Sequence, residues 1–105
     1  MVWCIEKGQK IEEKYRKIFL GMAKGFRSGV VCLKEGEEIG LHSTEDGEEI
    51  VVILSGRGTV MVNNEEIPIS ADDILYFGPH TGHNIKAKRK GRIHYVYIYS
   101  KVLTK

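Results

Sequence analysis

Beyond the first ten residues, the apolar positions fall in short β-branched and aromatic runs separated by turn material. The runs are FRSGVVCLK (Phe26 to Lys34), EEIVVIL (Glu48 to Leu54), GTVMVN (Gly58 to Asn63), DILYFG (Asp73 to Gly78) and IHYVYIYS (Ile93 to Ser100). Gly36, Asp46-Gly47, Gly56, Asn63-Asn64, Asp72-Asp73, Gly82 and Gly91 mark the breaks. Strands about ten residues apart, with no long helical pattern between them, predict an all-β sandwich or barrel. One stretch reads two ways. In Lys10 to Gly25, Ile11, Tyr15, Ile18, Phe19 and Met22 fit a helical stripe, yet YRKIFL equally fits a strand with Tyr15, Lys17 and Phe19 on one side.

Composition narrows the class. At 105 residues the chain supports one hydrophobic core, hence one domain. No apolar run approaches the roughly 18 residues that span a membrane, and the start, MVWCIEKGQK, lacks a signal-peptide pattern. A net charge of +2 is too small to argue for a nucleic-acid or anionic-membrane partner, and neither is expected. Cys4 and Cys32 are too few for a disulfide framework and lack CxxC spacing, so a reduced, cytoplasmic protein is expected. The Lys- and Glu-rich bias, with Gln9 the single glutamine, suits a thermophile.

The candidate chemistry lies in LHSTEDGEEIVVILSG (Leu41 to Gly56) and in His83. Two imidazoles and a carboxylate can hold a divalent metal with coordination positions left open. His42 and Thr44 are two apart on one strand, so their side chains share a face. After a turn at Glu45-Asp46-Gly47, Glu49, Val51 and Ile53 share a face of the returning strand, with Glu49 nearest the turn.

These segments resemble the two motifs of the cupin superfamily. Gly36, five residues, then His42, and later Glu49, six residues, then Gly56, match the first motif, with Thr44 where the family has a second histidine. DDILYFGPHTGHNIKA (Asp72 to Ala87) matches the second more loosely: Asp72 replaces a glycine, Gly78 takes the proline position with Pro79 beside it, His83 matches the histidine, and Ala87 replaces an asparagine. The resemblance covers roughly half the chain. It implies a double-stranded β-helix, or jelly-roll barrel, with an N-terminal strand segment over about 1–34 and a barrel core over about 35–100. It also tips Tyr15 to Leu20 towards strand. By the same resemblance His42, Glu49 and His83 are the metal ligands, and Thr44 would hydrogen-bond a metal-bound water rather than ligate. An empty, ligand-binding barrel is the alternative. Mixed nitrogen and oxygen donors accept Fe, Mn, Ni, Co, Cu or Zn.

Other residues carry weaker signals. His80 could reach the barrel mouth, but a polar, glycine-rich turn favours a surface position. His94 reads as a strand residue satisfied locally. Tyr95, Tyr97 and Tyr99 alternate and share a face; they either line the pocket or, as aromatic stripes do more often, pack outward. KAKRKGR (Lys86 to Arg92) reads as a solvated turn, and the cysteines as inert. Three roles follow: a metal-dependent enzyme on a small oxygenated molecule, of the dioxygenase, decarboxylase, isomerase or epimerase classes the resemblance implies; a non-catalytic small-molecule binder or sensor; and a dimerisation scaffold. The family resemblance also implies a homodimer, for which Trp3, Ile5 and Phe19 would serve.

Overall fold

One long strand organises the chain. In the computed structural model, which describes residues 3–101, β4 runs without interruption from Gly47 to Val62. The strands before it are β1 (Tyr15–Ile18), β2 (Arg27–Leu33) and β3 (His42–Ser43). Those after it are β5 (Glu65–Ser70), β6 (Ile74–Phe77), β7 (Gly82–Ala87) and β8 (Ile93–Lys101). The first half of β4 pairs with β8 on one side and β6 on the other; its second half pairs with β5 and β7. β1 and β2 extend the first layer beyond β8, and β3 extends the second beyond β7. The antiparallel sheet therefore curls on itself through β4 into a jelly-roll barrel, as expected.

Gly56 does not separate two strands, as the pattern of runs implied. It bends one. The β4–β8 register shifts between Ile53 and Ser55, a bulge that raises local twist. At Gly56 φ is +84°, and a Cβ there would lie 1.8 Å from the Arg92 carbonyl oxygen. Backbone bonds continue through the bend: Arg57 N–H donates to Arg92 O at 3.0 Å, and Ala71 N–H to Gly56 O at 3.0 Å.

The ambiguous N-terminal stretch forms a strand over Tyr15–Ile18 and no helix over Lys10 to Gly25 beyond the end of one 3₁₀ turn. Tyr15–Ile18 pairs antiparallel with the edge of β2, and those ladder bonds outweigh a helical stripe that two glycines already weaken. Phe19 ends it at φ +55°. The preceding segment, with one 3₁₀ turn at Gly8–Lys10, crosses the outer wall of the barrel. There Ile11, Ile18 and Val30 form a small cluster with Val96, separate from the main core around Leu33, Val51, Ile53, Ile85 and Ile93. Opposite faces of β2 and β8 thus feed two cores, as a period of two requires. The basic run ends as a solvated turn, with Gly91 N–H donating to Lys88 O at 3.0 Å. Among the described residues no helix is long and apolar enough to cross a membrane.

Candidate metal centre

His42 and His83 are register partners across β3 and β7, so their rings rise from one face, with centroids 4.2 Å apart. Glu49 comes from the first half of β4, where its partners are Phe77 and Tyr99. The curl of the sheet brings one donor atom of each of His42, Glu49 and His83 within 4.8 Å of the others. His83 and Glu49 are buried, whereas His42 is exposed at the mouth.

Hydrogen bonds decide what these imidazoles offer. His83 Nδ1 lies 3.1 Å from the Thr81 carbonyl oxygen, and His42 Nδ1 lies 2.9 Å from that of Gly40. A carbonyl only accepts, so each Nδ1 carries a proton and donates it. A neutral ring held this way presents a bare Nε2 lone pair, the arrangement that metal-binding histidines adopt. His83 Nε2 is sealed from solvent, has no hydrogen-bond partner, and faces Glu49 Oε1 at 3.5 Å. A lone pair against a carboxylate oxygen is repulsive until a cation or a proton lies between them. Phe77, stacked on His83 at 4.0 Å and 9°, fixes the plane of the ring. The donor set therefore fits a divalent transition metal.

Thr44 departs from expectation. β3 ends at Ser43, so Thr44 lies in the turn and does not follow His42 along a shared face. Its buried hydroxyl donates to Gly78 O at 2.6 Å and accepts from Thr81 N–H at 3.0 Å. It ties β3 to the loop before β7 and does not line the cavity that holds the three candidate ligands. His80 lies at the surface, the position its polar turn favoured, and not in the pocket: it sits at φ +57°, exposed, with Nε2 3.8 Å from Asp46.

The tyrosine stripe points inward, against the commoner outward packing. Tyr95, Tyr97 and Tyr99 pair with Ile53, Val51 and Glu49, the inner face of β4, and all three line a cavity of about 410 Å³ that contains the three candidate ligands. Gly29 makes room, since a Cβ there would lie 2.6 Å from the Tyr97 ring. Tyr99 donates to Thr44 O at 2.8 Å, and the Tyr15 and Tyr97 hydroxyls share a short hydrogen bond. Burial, then the charge of Glu49, pushes Tyr95 well above its ordinary pKa; burial and the bond to Tyr15 do the same for Tyr97. Both phenols are hydrogen-bond donors at ordinary pH, not bases. Two cationic residues on this cavity were not singled out from sequence: Lys17, and Arg27, whose guanidinium lies 4.7 Å from the Tyr99 ring centroid. The alternation Arg27, Gly29, Val31 was the available signal for Arg27.

The tyrosine environment has a consequence for stability. The fold keeps Tyr95 protonated while an unfolded chain ionises it near 10.0. Its contribution is thus complete below that pH and is lost as pH rises above it. The denaturant midpoint is expected to fall above pH 10.0, and Tyr95→Phe to make that fall shallower. An unchanged alkaline slope in Tyr95→Phe would show that the phenol is not held neutral.

Comparison with known proteins converges on the same architecture. A profile of the cupin domain matches residues 29–99. The chain belongs to the cupin family. It is 32% identical over 69 residues to an uncharacterised protein of Methanocaldococcus jannaschii, covering 66% of this chain and 54% of that one. It is 35% identical over 54 residues to an oxalate-binding protein of Thermotoga maritima, covering 51% of this chain and 45% of that one. This cupin thus spans about half the length of the curated relatives it matches. Among solved structures, a cupin protein from Bacteroides fragilis superposes with a TM-score of 0.80 at 24% identity, covering 96% of this chain and 90% of that one. A predicted oxalate decarboxylase from Thermotoga maritima gives 0.72 at 20% identity, covering 94% and 100%. At these identities the structural matches speak for the fold alone.

Proposed function

We propose that this cupin holds one divalent transition metal through His42, Glu49 and His83 and binds a small oxygen-rich anion at the positions left open. The observation that carries the reading is the pair of backbone-locked imidazoles, with the sealed Nε2 of His83 facing a buried carboxylate. When bound, such an ion supplies Lewis-acid polarisation, and a redox-active one supplies electron transfer. The chain supplies the rest. Arg27 and Lys17 add positive charge to the cavity, and the protonated phenols offer donors to an anion's oxygens. A relative named for binding oxalate supports a small carboxylate as the ligand class.

Binding without catalysis is favoured by the chemistry left over once ligands are assigned. Thr44 has no spare proton, the phenols of Tyr95 and Tyr97 are not bases, and Glu45 is the remaining carboxylate on the cavity. A metal-dependent enzyme of the dioxygenase, isomerase or decarboxylase class is the second reading, favoured by the open coordination positions. We also expect a cytoplasmic homodimer, since Trp3, Ile5 and Leu20 remain 71%, 66% and 76% exposed around the N-terminal segment.

Elemental analysis of untagged protein purified without chelator tests the reading. About one equivalent of a transition metal per chain is expected, as a three-ligand site requires, and it should be lost in His42→Ala and Glu49→Ala. Metal-free protein even after reconstitution with iron, manganese, nickel, cobalt, copper and zinc in turn would sink the metal site. Calorimetric titration of oxalate into the loaded protein should give binding that Arg27→Ala weakens. Gel filtration of the same samples at monomer size would remove the dimer.

A further inference from the structure

A second group of ligand-type side chains lies on the opposite side of the barrel wall. Cys32 and His94 are register partners across β2 and β8, so they share a face. That face is the outer one: their neighbours Val31 and Tyr95 point into the barrel core. Glu12 reaches them from the N-terminal segment, one residue after the buried Ile11 that anchors it. One donor atom of each of Glu12, Cys32 and His94 lies within 4.8 Å of the others. The three are far apart in sequence, and only the β2–β8 register and the crossing of the N-terminal segment bring them together.

Two features separate this group from a chance surface cluster. First, His94 Nε2 is sealed from solvent and has no hydrogen-bond partner. Its Nδ1 lies 3.3 Å from Ser55 Oγ, which can accept the Nδ1 proton and leave a bare lone pair at Nε2. The histidine is therefore not satisfied locally at both nitrogens. Second, the group is already answered by a positive charge. Arg92 Nη2 lies 3.1 Å from Glu12 Oε2 and 3.5 Å from the sulfur of Cys32, itself only 1% exposed. The fold brings Arg92 to Cys32 from 60 residues away. An exposed guanidinium can swing into solvent and give way to a cation.

We propose that Glu12, Cys32 and His94 form an outer metal site, distinct from the cavity, that takes zinc and clips the N-terminal segment to the barrel wall. One thiolate, one imidazole and one carboxylate match the donor types zinc accepts, and the sulfur disfavours magnesium and calcium. Donors around a tetrahedral zinc lie roughly 3.3–3.8 Å apart for the usual zinc–ligand lengths. The solvent-facing side chain of Glu12 supplies most of the closure needed. Binding releases the Cys32 proton to solvent, displaces Arg92, and leaves a fourth position for water.

Cobalt(II), which adopts zinc's geometry and reports its ligands optically, provides the test on the full chain. The cavity site offers only nitrogen and oxygen, so a near-ultraviolet sulfur-to-cobalt charge-transfer band reports the outer site alone, whatever happens in the barrel. The band is expected to saturate at about one equivalent of sulfur-bound metal per chain, as a single-thiolate site requires, and to be displaced by zinc. Cys32→Ser should abolish it and Cys4→Ser should leave it intact. Glu12→Gln, at an exposed position that does not threaten folding, should weaken cobalt binding at least about ten-fold. Absence of the band in the wild type, its survival in Cys32→Ser, or unchanged affinity in Glu12→Gln would each overturn the assignment and leave an Arg92-centred ion cluster in its place.

Discussion

Glu49→Gln is expected to weaken metal retention in the barrel at least about a hundred-fold, beyond the range seen for residues that merely support a ligand, while leaving the metal-free protein as stable as before or slightly more so. The sign reversal follows from the environment of the carboxylate. Without a cation, Glu49 Oε1 faces the bare Nε2 of His83 at 3.5 Å inside a sealed site. An amide of the same size removes the charge and can turn an N–H towards that lone pair, a gain of about 1 kcal/mol for a hydrogen bond formed where none existed. With a metal, the same substitution deletes the one anionic donor of the set. Thermal unfolding of both proteins, with and without chelator, separates the cases. A wild type stabilised by metal and a variant indifferent to it is the expected pattern. Equal destabilisation of the variant in both conditions would mean that Glu49 serves a buried ion pair with protonated His83, and the ligand assignment would fall.

What could be read in advance divides along physical lines. The inner face of β4 was legible because Glu49, Val51 and Ile53 alternate over an uninterrupted apolar run, and a period of two survives any tertiary context. The facing of His42 and His83 was legible only through the family motifs, since β3 is two residues long and carries almost no pattern of its own. β7 was missed although His83, Ile85 and Ala87 alternate, because the glycine and the following basic run read as loop. β5 was missed for a better reason: Pro68 sits within it, tolerable only because β5 lies at the edge of its sheet. Thr44 was placed on the wrong surface because a strand end cannot be located to one residue from sequence. The Cys32–His94 pairing was invisible, since register between distant strands leaves no local trace.

The largest effect on the fold itself is expected from Gly56→Ala. Two penalties coincide there. The residue holds φ at +84°, and an added Cβ would lie 1.8 Å from the Arg92 carbonyl oxygen. That oxygen is backbone, held by the Arg57 N–H, so it cannot rotate away as a side chain would. Left-handed strain and a backbone overlap each cost of order 1–3 kcal/mol, giving a loss of about 2–6 kcal/mol. This is a large share of the roughly 5–15 kcal/mol by which native domains are stable. Gly25→Ala, with nothing within 4 Å of the new Cβ, is the matched control and should stay within about 0.5 kcal/mol of the parent. The consequence reaches the site, because Glu49 rides on the half of β4 before the bend and His83 is paired to Val62 on the half after it. Relaxing the bend moves one ligand relative to the other, so metal affinity should fall together with the urea midpoint. A Gly56→Ala protein as stable as the parent would mean that the corner of β4 yields freely, and that some other constraint brings Glu49 and His83 together.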